Sequence, residues 1–280
     1  MTNDEIIRRL LSLDLSTYPY DEVRELVSLF GPMIVRMTID GNLIIERLRP
    51  EVGFTKRKDV TYKEGKLEDF PNRATIPGRS IFYGTIAHHK DNPMNRRYIA
   101  ICESSSLLKK GKNVSGRESY TLSIWGIKRP LSVGFIVNDK AFENRNNRLL
   151  QDAKEYYNRN RSFIESPLQM DIYKDFVVEQ FSNPVADDQR YKYIISATIA
   201  DKMMYASGLD GIVYPSVKAD GEAGLNIALK KECVDDALKL LNVEELDYIQ
   251  NKGEGSINIA KGQPMRITRC DSNGLLEWEW

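Results

Sequence analysis

Arg47, Arg73, Tyr83, Glu103 and Ser216 are the residues of this chain whose side chains could do chemistry together. Each alone has an ordinary reading. A strand arginine is more often a solvated or salt-bridged surface residue, a helix glutamate faces solvent, and a strand tyrosine belongs to the core. Ser216 closes the stretch "LDGIVYPS". Pro215 offers no donor to a sheet ladder, so a strand that carries it lies at an edge or ends there, and Ser216 reads as a small polar residue at a strand terminus. Glu103 lies in "IAICESSSLL", where the apolar face of a helix is densest, which places it near a buried boundary. Together the five would combine anion-recognising guanidinium groups with one carboxylate and two hydroxyls at one rim of a mixed sheet.

The remaining composition limits the chemistry to such groups. The two histidines are the neighbours His88 and His89, so there is no H-x-x-x-H metal spacing and no separate base for a serine or cysteine triad. The three cysteines, Cys102, Cys233 and Cys270, are widely spaced, unlike a disulfide framework or a zinc knuckle, which fits a reducing compartment, with cytoplasm as the expectation. No metal is expected. Forty basic residues balance forty acidic ones, so global charge attracts neither nucleic acid nor an anionic membrane. The first thirty residues alternate charged and apolar positions, unlike a signal peptide, and no later segment is long enough to span a bilayer. A 41% hydrophobic content over 280 residues suits one large core or two modest ones.

The elements that must position these residues alternate between helix and strand. Thr2 or Asn3 caps a helix to about Leu13, and Asp21 starts a second that stops at Gly31. "VRMTIDGNLIIERL" predicts a tight hairpin around Asp40–Gly41, its second strand carrying Arg47 and Arg49 on one face. A long loop over 51–80 leads to the strand "SIFYGTI". Asn92 and Pro93 open a helix that runs to Gly111 with Glu103 about midway. Two strands follow, "SYTLSIWGIK" and "LSVGFIVN", then helices through "LLQDAKEYYNRNR", "QMDIYKDFVVEQF" and "YKYIISATIADKMMYASG". After "LDGIVYPSV" and a glycine-rich turn come the strand "LNIALK", a short helix near 234–242, and β-prone pieces "INIA", "MRITRC" and "LLEWEW". The whole reads as one α+β domain with additions at both ends.

Several of these stretches resemble the RES-domain proteins, named for an arginine, a glutamate and a serine. The resemblance runs from about 43 to 232. It rests on "IIERLRP", on "NRATIPGRSIFYGT", on "IAICESS" and most specifically on "LDGIVYPSVKADGEAGLNIAL", in which Ser216 falls on the serine of the name. The chain departs from the family in having "NRAT" where a Gly-Arg pair is usual, in a longer interval from tyrosine to glutamate around "HHKDNPMNRR", and in its greater length.

The resemblance implies a mixed-sheet core like that of ADP-ribosyltransferases, with flanking helices. The RES-like catalytic domain would span 37–242 with a helical insertion near 140–185, preceded by a helical extension over 1–36 and followed by a β-rich extension of the same domain over 243–280. It also implies a growth-arresting toxin of a bacterial toxin–antitoxin pair that consumes NAD as substrate, with a helix-turn-helix antitoxin as partner and a homodimer left open. Neither a membrane nor direct nucleic-acid binding is expected. In that setting Arg47, with Arg73 in support, would hold the pyrophosphate. Glu103 would stabilise the oxocarbenium-like ribose, Tyr83 would stack on the nicotinamide or a ribose, and Ser216 would bond the nicotinamide amide or the ribose hydroxyls. Glycohydrolase or phosphorylase action leads; transfer of ADP-ribose to a protein or nucleic acid, and a non-catalytic partner-binding role, are the alternatives.

Overall fold

The computed structural model describes residues 1–31, 35–63, 69–91, 93–109, 113–136, 147–161, 167–216, 224–251, 258–260, 266–270 and 273–279. The expected stop at Gly111, part of the insertion near 140–185 and the glycine-rich turn after Ser216 lie outside these residues.

The N-terminal helix α1 (Asn3–Ser12) begins with a capping box, in which Thr2 accepts from the Glu5 amide and Glu5 accepts from the Thr2 amide. After α2 (Tyr20–Ser28) come strands β1 (Val35–Ile39), β2 (Leu43–Arg49) and β3 (Ile81–His88). Helices α3 (Pro93–Ser104) and α4 (Ser106–Lys109) precede β4 (Gly116–Ile127) and β5 (Leu131–Phe135). Then follow α5 (Arg148–Arg161), α6 (Pro167–Ser182) and α7 (Ile194–Asp201). Gly208, at φ +67, takes a left-handed turn into β6 (Gly211–Pro215). β7 (Leu225–Lys230), α8 (Lys231–Ala237), β8 (Leu238–Gln250), β9 (Asn258–Ala260), β10 (Arg266–Cys270) and β11 (Leu276–Glu279) complete the chain.

The strands form one mixed sheet in the order β1-β5-β6-β7-β3-β2-β4-β8-β10-β11, with β9 on β8. Only the β5–β6 pairing is parallel among the described ladders. The fold is therefore α+β, as expected. Strand alternation divides two apolar layers. Val213, Ile227 and Leu229 face a core with α5 and α8, whereas Ile212, Tyr214 and Ala228 face one with α1, α2, α6 and α7. A third, smaller cluster joins Ile101 of α3 and Leu107 of α4 to Tyr120, Leu122, Leu246 and Tyr248.

Three expectations are corrected. The Asp40–Gly41 turn does not make a hairpin, because β1 pairs with β5 while β2 lies between β3 and β4. A turn signature sets the local bend, and the burial of both faces of β2 decides its partners. The helix carrying Glu103 ends at Ser104, so Glu103 is next to last. Glu118 of β4 causes the break, since its carboxylate accepts from the amides of Ser106 and Leu107 and from the hydroxyls of Ser105 and Ser106, starting a new helix. The short helix near 234–242 is α8, which stops at Ala237. "LKLLNVEEL" is instead β8, paired with β4 along its length, because ladder pairing and burial outweigh helix propensity there.

One irregularity of the sheet creates space. β2 pairs with β3 only from Leu43–His88 to Glu46–Thr85. Beyond that point Arg47, Leu48 and Arg49 stay on β4, while Ile81 to Gly84 stay on β7, so the sheet opens between the two strands. Gly84 stands at the branch. A Cβ there would lie 2.7 Å from Ile45 Cγ2 and 2.9 Å from the Glu46 carbonyl oxygen, closer than real Cβ contacts.

Candidate active site

The opening between β2 and β3 leads into a cavity of about 430 Å³, within the range of small-molecule sites. Arg47, Arg73, Tyr83 and Glu103 all line it. Ser216 is not in the wall and reaches the site through Glu103. The sequence-predicted residues thus meet in one place, although strand alternation starts Arg47 from the other face of β2 than Glu46. The split admits its side chain between the strands.

Arg47 Nη1 donates to the Tyr83 carbonyl at 2.6 Å, an acceptor that the broken β2–β3 ladder leaves available. Its guanidinium lies 5.1 Å from the Phe82 ring centre, and its Nε is buried without a hydrogen-bond partner. Among the described residues no carboxylate is within ion-pair distance of it. Burial, with the neighbouring Arg49 charge adding to it, pushes the Arg47 guanidinium down to about 9, against a smaller opposing effect of Tyr83. Arginine keeps its proton in proteins, so the guanidinium stands charged in the cavity wall.

Arg49, two positions on and on the same strand face as the sequence predicts, lines the same cavity, although the sequence alone assigns it no role in the site. Its Nη2 donates to the Thr61 carbonyl at 2.9 Å, Glu51 is 3.9 Å away, and its Nε is also buried without a partner. The wall includes five basic residues, Arg47, Arg49, Lys63, Arg73 and Arg79, against the acidic Glu46, Glu51 and Glu103. The balance favours an anionic guest.

Arg73 lines the cavity, and its described hydrogen bonds run to the end of α6. Its Nη1 donates to the Phe181 carbonyl and its Nη2 to the Asn183 carbonyl at 3.1 Å, at the C-terminal end of α6, and it stacks over Tyr193 at 5.1 Å. A cation there satisfies orphan carbonyls and complements the helix dipole. Arg73 shapes the wall while its donors serve α6. Tyr83 is likewise tethered, with its hydroxyl accepting from the Ala74 amide and bonded to Thr75 Oγ1, so the ring stands fixed in the wall.

Glu103 is held from two sides. Ser216 Oγ donates to its Oε1 at 2.6 Å, and Asn226 Nδ2 donates to the same oxygen at 2.9 Å. Ser216 is placed for this because β6 ends at Pro215 and the Ser216 amide then bonds the Gly224 carbonyl at 2.8 Å. Its partner is therefore the carboxylate. Asn226 was missed as a site residue, although a lone amide in the apolar run "LNIALK" is a signal, because a buried amide must find a partner. Tyr214 completes this end of the cavity. Burial pushes its phenol well up, with Tyr83 and Glu103 adding to the effect, so it stays neutral.

Among the described residues no cluster of histidine, cysteine and carboxylate side chains could hold a metal, and no helix is long and apolar enough to cross a membrane. No protein-family model matches the chain, and no curated protein matches it. Among solved structures, the chain is similar to one from the M. tuberculosis MbcT-MbcA toxin–antitoxin complex, with a TM-score of 0.35 and 11% identity over 80% of this chain and 91% of that one.

Proposed function

We propose that the protein cleaves the bond between nicotinamide and ribose in NAD. One observation carries the reading. A single cavity holds an arginine that no carboxylate among the described residues pairs with and a carboxylate whose Oε1 is gripped by two donors. Arg47, with Arg49 beside it, binds the diphosphate, a doubly anionic group. Glu103 stands at the ribose. As the C–N bond breaks, its electron pair leaves with nicotinamide, whose ring was cationic and departs neutral, and positive charge gathers on the ribose. A carboxylate held in place before the reaction stabilises that charge without reorganising. The ribose carbon then bonds a water or phosphate oxygen, and a water acceptor releases a proton. The leaving group is already activated, so the step needs no metal.

On this reading the protein is a growth-arresting bacterial toxin that acts in the cytoplasm and is neutralised by a helix-turn-helix antitoxin. This part rests on the resemblance of residues 43 to 232 to the RES-domain proteins. The purified chain, incubated with NAD labelled in the nicotinamide ring, releases labelled nicotinamide. With the label in the adenosine half and a cell lysate present, counts stay in small molecules. No release with well-folded protein overturns the reading, and label on macromolecules redirects it to transfer.

A further inference from the structure

A buried charge pair joins the helix that carries Glu103 to β2 and plays no part in the chemistry proposed above. Arg96 of α3 donates through Nε to Glu46 Oε1 at 3.0 Å, and both side chains are almost inaccessible, at 8% and 1% exposure. Arg96 Nη1 also donates to the carbonyls of His88, at 3.3 Å, and Asp91. Glu46 Oε2 is buried without a partner. A pair so incompletely satisfied is a poor source of stability, because removing two charges from water costs several kcal/mol per ion and apolar replacements of similar size are often neutral or stabilising. Its geometry suggests another use.

Glu46 is directly opposite Thr85, Thr85 opposite Asn226 and Asn226 opposite Tyr214, so these four form one row across β2, β3, β7 and β6 with side chains on one face. The helix α3 packs on β2 and β3, its Arg96 on the Glu46 end of the row and its Glu103 on Asn226. Arg96 and Glu103 are about two turns apart, roughly 10 Å along the axis. Glu46 and Asn226 are two strand spacings apart, also roughly 10 Å. The two spans match, and the row crosses the sheet at Glu46–Thr85, the last pair before it splits. From this we infer that the Glu46–Arg96 pair is a positioning device: it pins the far end of α3 to the row and so sets where the Glu103 carboxylate stands relative to Arg47, the neighbour of Glu46.

The assignment deepens the proposed function and rests on it for its kinetic test. The helix has other attachments that keep it folded on the sheet, namely Arg97 with Glu244 of β8 at 2.8 Å and the fully buried Ile101. The double variant Glu46→Leu with Arg96→Met removes both charges and leaves neither unpaired. It melts no lower than wild type, loses about a hundredfold in kcat through a displacement of roughly 1 Å at Glu103, and keeps KM for NAD within about threefold. Arg96→Lys keeps the charge without the fork and loses about tenfold in kcat at the same KM. Wild-type kcat in either folded variant overturns the positioning role. If wild type itself releases no nicotinamide, the functional reading fails and the positioning role is judged by amide hydrogen exchange over residues 97–104. Exchange at least about tenfold faster in the folded variants supports it, and unchanged protection overturns it.

Discussion

The hydroxyl of Ser216 donates to Glu103 Oε1 at 2.6 Å, joining the residue just past the end of β6 to the last turn of α3 across 113 positions of sequence. A serine alone at a strand end is an ordinary terminus. Paired with Asn226 on the same oxygen, it becomes part of a mount that fixes the direction of a carboxylate. The two readings differ in what substitution does to turnover and to binding.

Ser216→Ala and Asn226→Ala each remove one hydrogen bond to a charged group, worth about 1.5–3 kcal/mol. Nicotinamide release should fall about ten- to a hundredfold in kcat, with NAD affinity nearly unchanged, because each acts through Glu103. Steady-state kinetics with calorimetric binding separates the two quantities. A Ser216→Ala variant with raised KM and normal kcat would show that the serine touches the substrate instead.

Arg47→Met tests the role of this charge. Among the described residues no carboxylate pairs with the half-buried Arg47, so its replacement by an apolar chain should leave the ligand-free melting temperature no lower than wild type while weakening NAD binding at least about tenfold. Arg47→Lys should not restore binding, since an ammonium lacks the planar fork. A drop of several degrees in the ligand-free protein would mean that the charge is already satisfied within the fold.

Arg73→Ala should behave in the opposite way. Its donors serve the carbonyls of Phe181 and Asn183, so the loss falls on α6 at about 1–3 kcal/mol of stability. Denaturant melts and NAD titrations on one preparation would show reduced stability with affinity changed much less than in Arg47→Met. Equal losses of affinity in the two variants would give Arg73 the phosphate role that its place in the sequence suggested.

Acid sensitivity has an identifiable source in β8. The Arg117 hydrogen bond, with that of Ser119 Oγ at 2.6 Å and against a partial opposing effect of burial, holds the Asp247 carboxyl below its ordinary 3.8. The stability it contributes is present above the unfolded-state value and is lost as pH falls through the depressed folded value. Melting temperatures followed downward from roughly pH 6 to pH 3 should fall less steeply in Asp247→Asn than in wild type. Parallel curves would assign the acid loss to other groups.

Much of the local structure was legible in the sequence. "LNIALK" is β7, and the strand carrying Pro215 does end there, because the proline ring removes the next ladder donor. The missed features were all set by partners distant in sequence. Asp40–Gly41 marks a turn but cannot say that β1 will join β5; the end of α3 depends on Glu118; and "LKLLNVEEL" becomes a strand only because β4 lies beside it. At the site, Arg47, Tyr83 and Glu103 were visible as types that suit one chemistry. The mount of Ser216 and Asn226, the bonds of Arg73 to α6 and the opening between β2 and β3 follow from packing, which no spacing encodes.

The most direct test of the account is turnover and binding in Glu103→Gln. Glutamine keeps the size of the side chain and an oxygen for Ser216 and Asn226, while it removes the negative charge that would face the cationic ribose. If that charge acts in the transition state, nicotinamide release falls about a hundred- to a thousandfold while NAD binds with nearly wild-type affinity. Wild-type turnover in a folded Glu103→Gln protein would contradict the account and leave Glu103 as a residue that only ties α3 to the sheet.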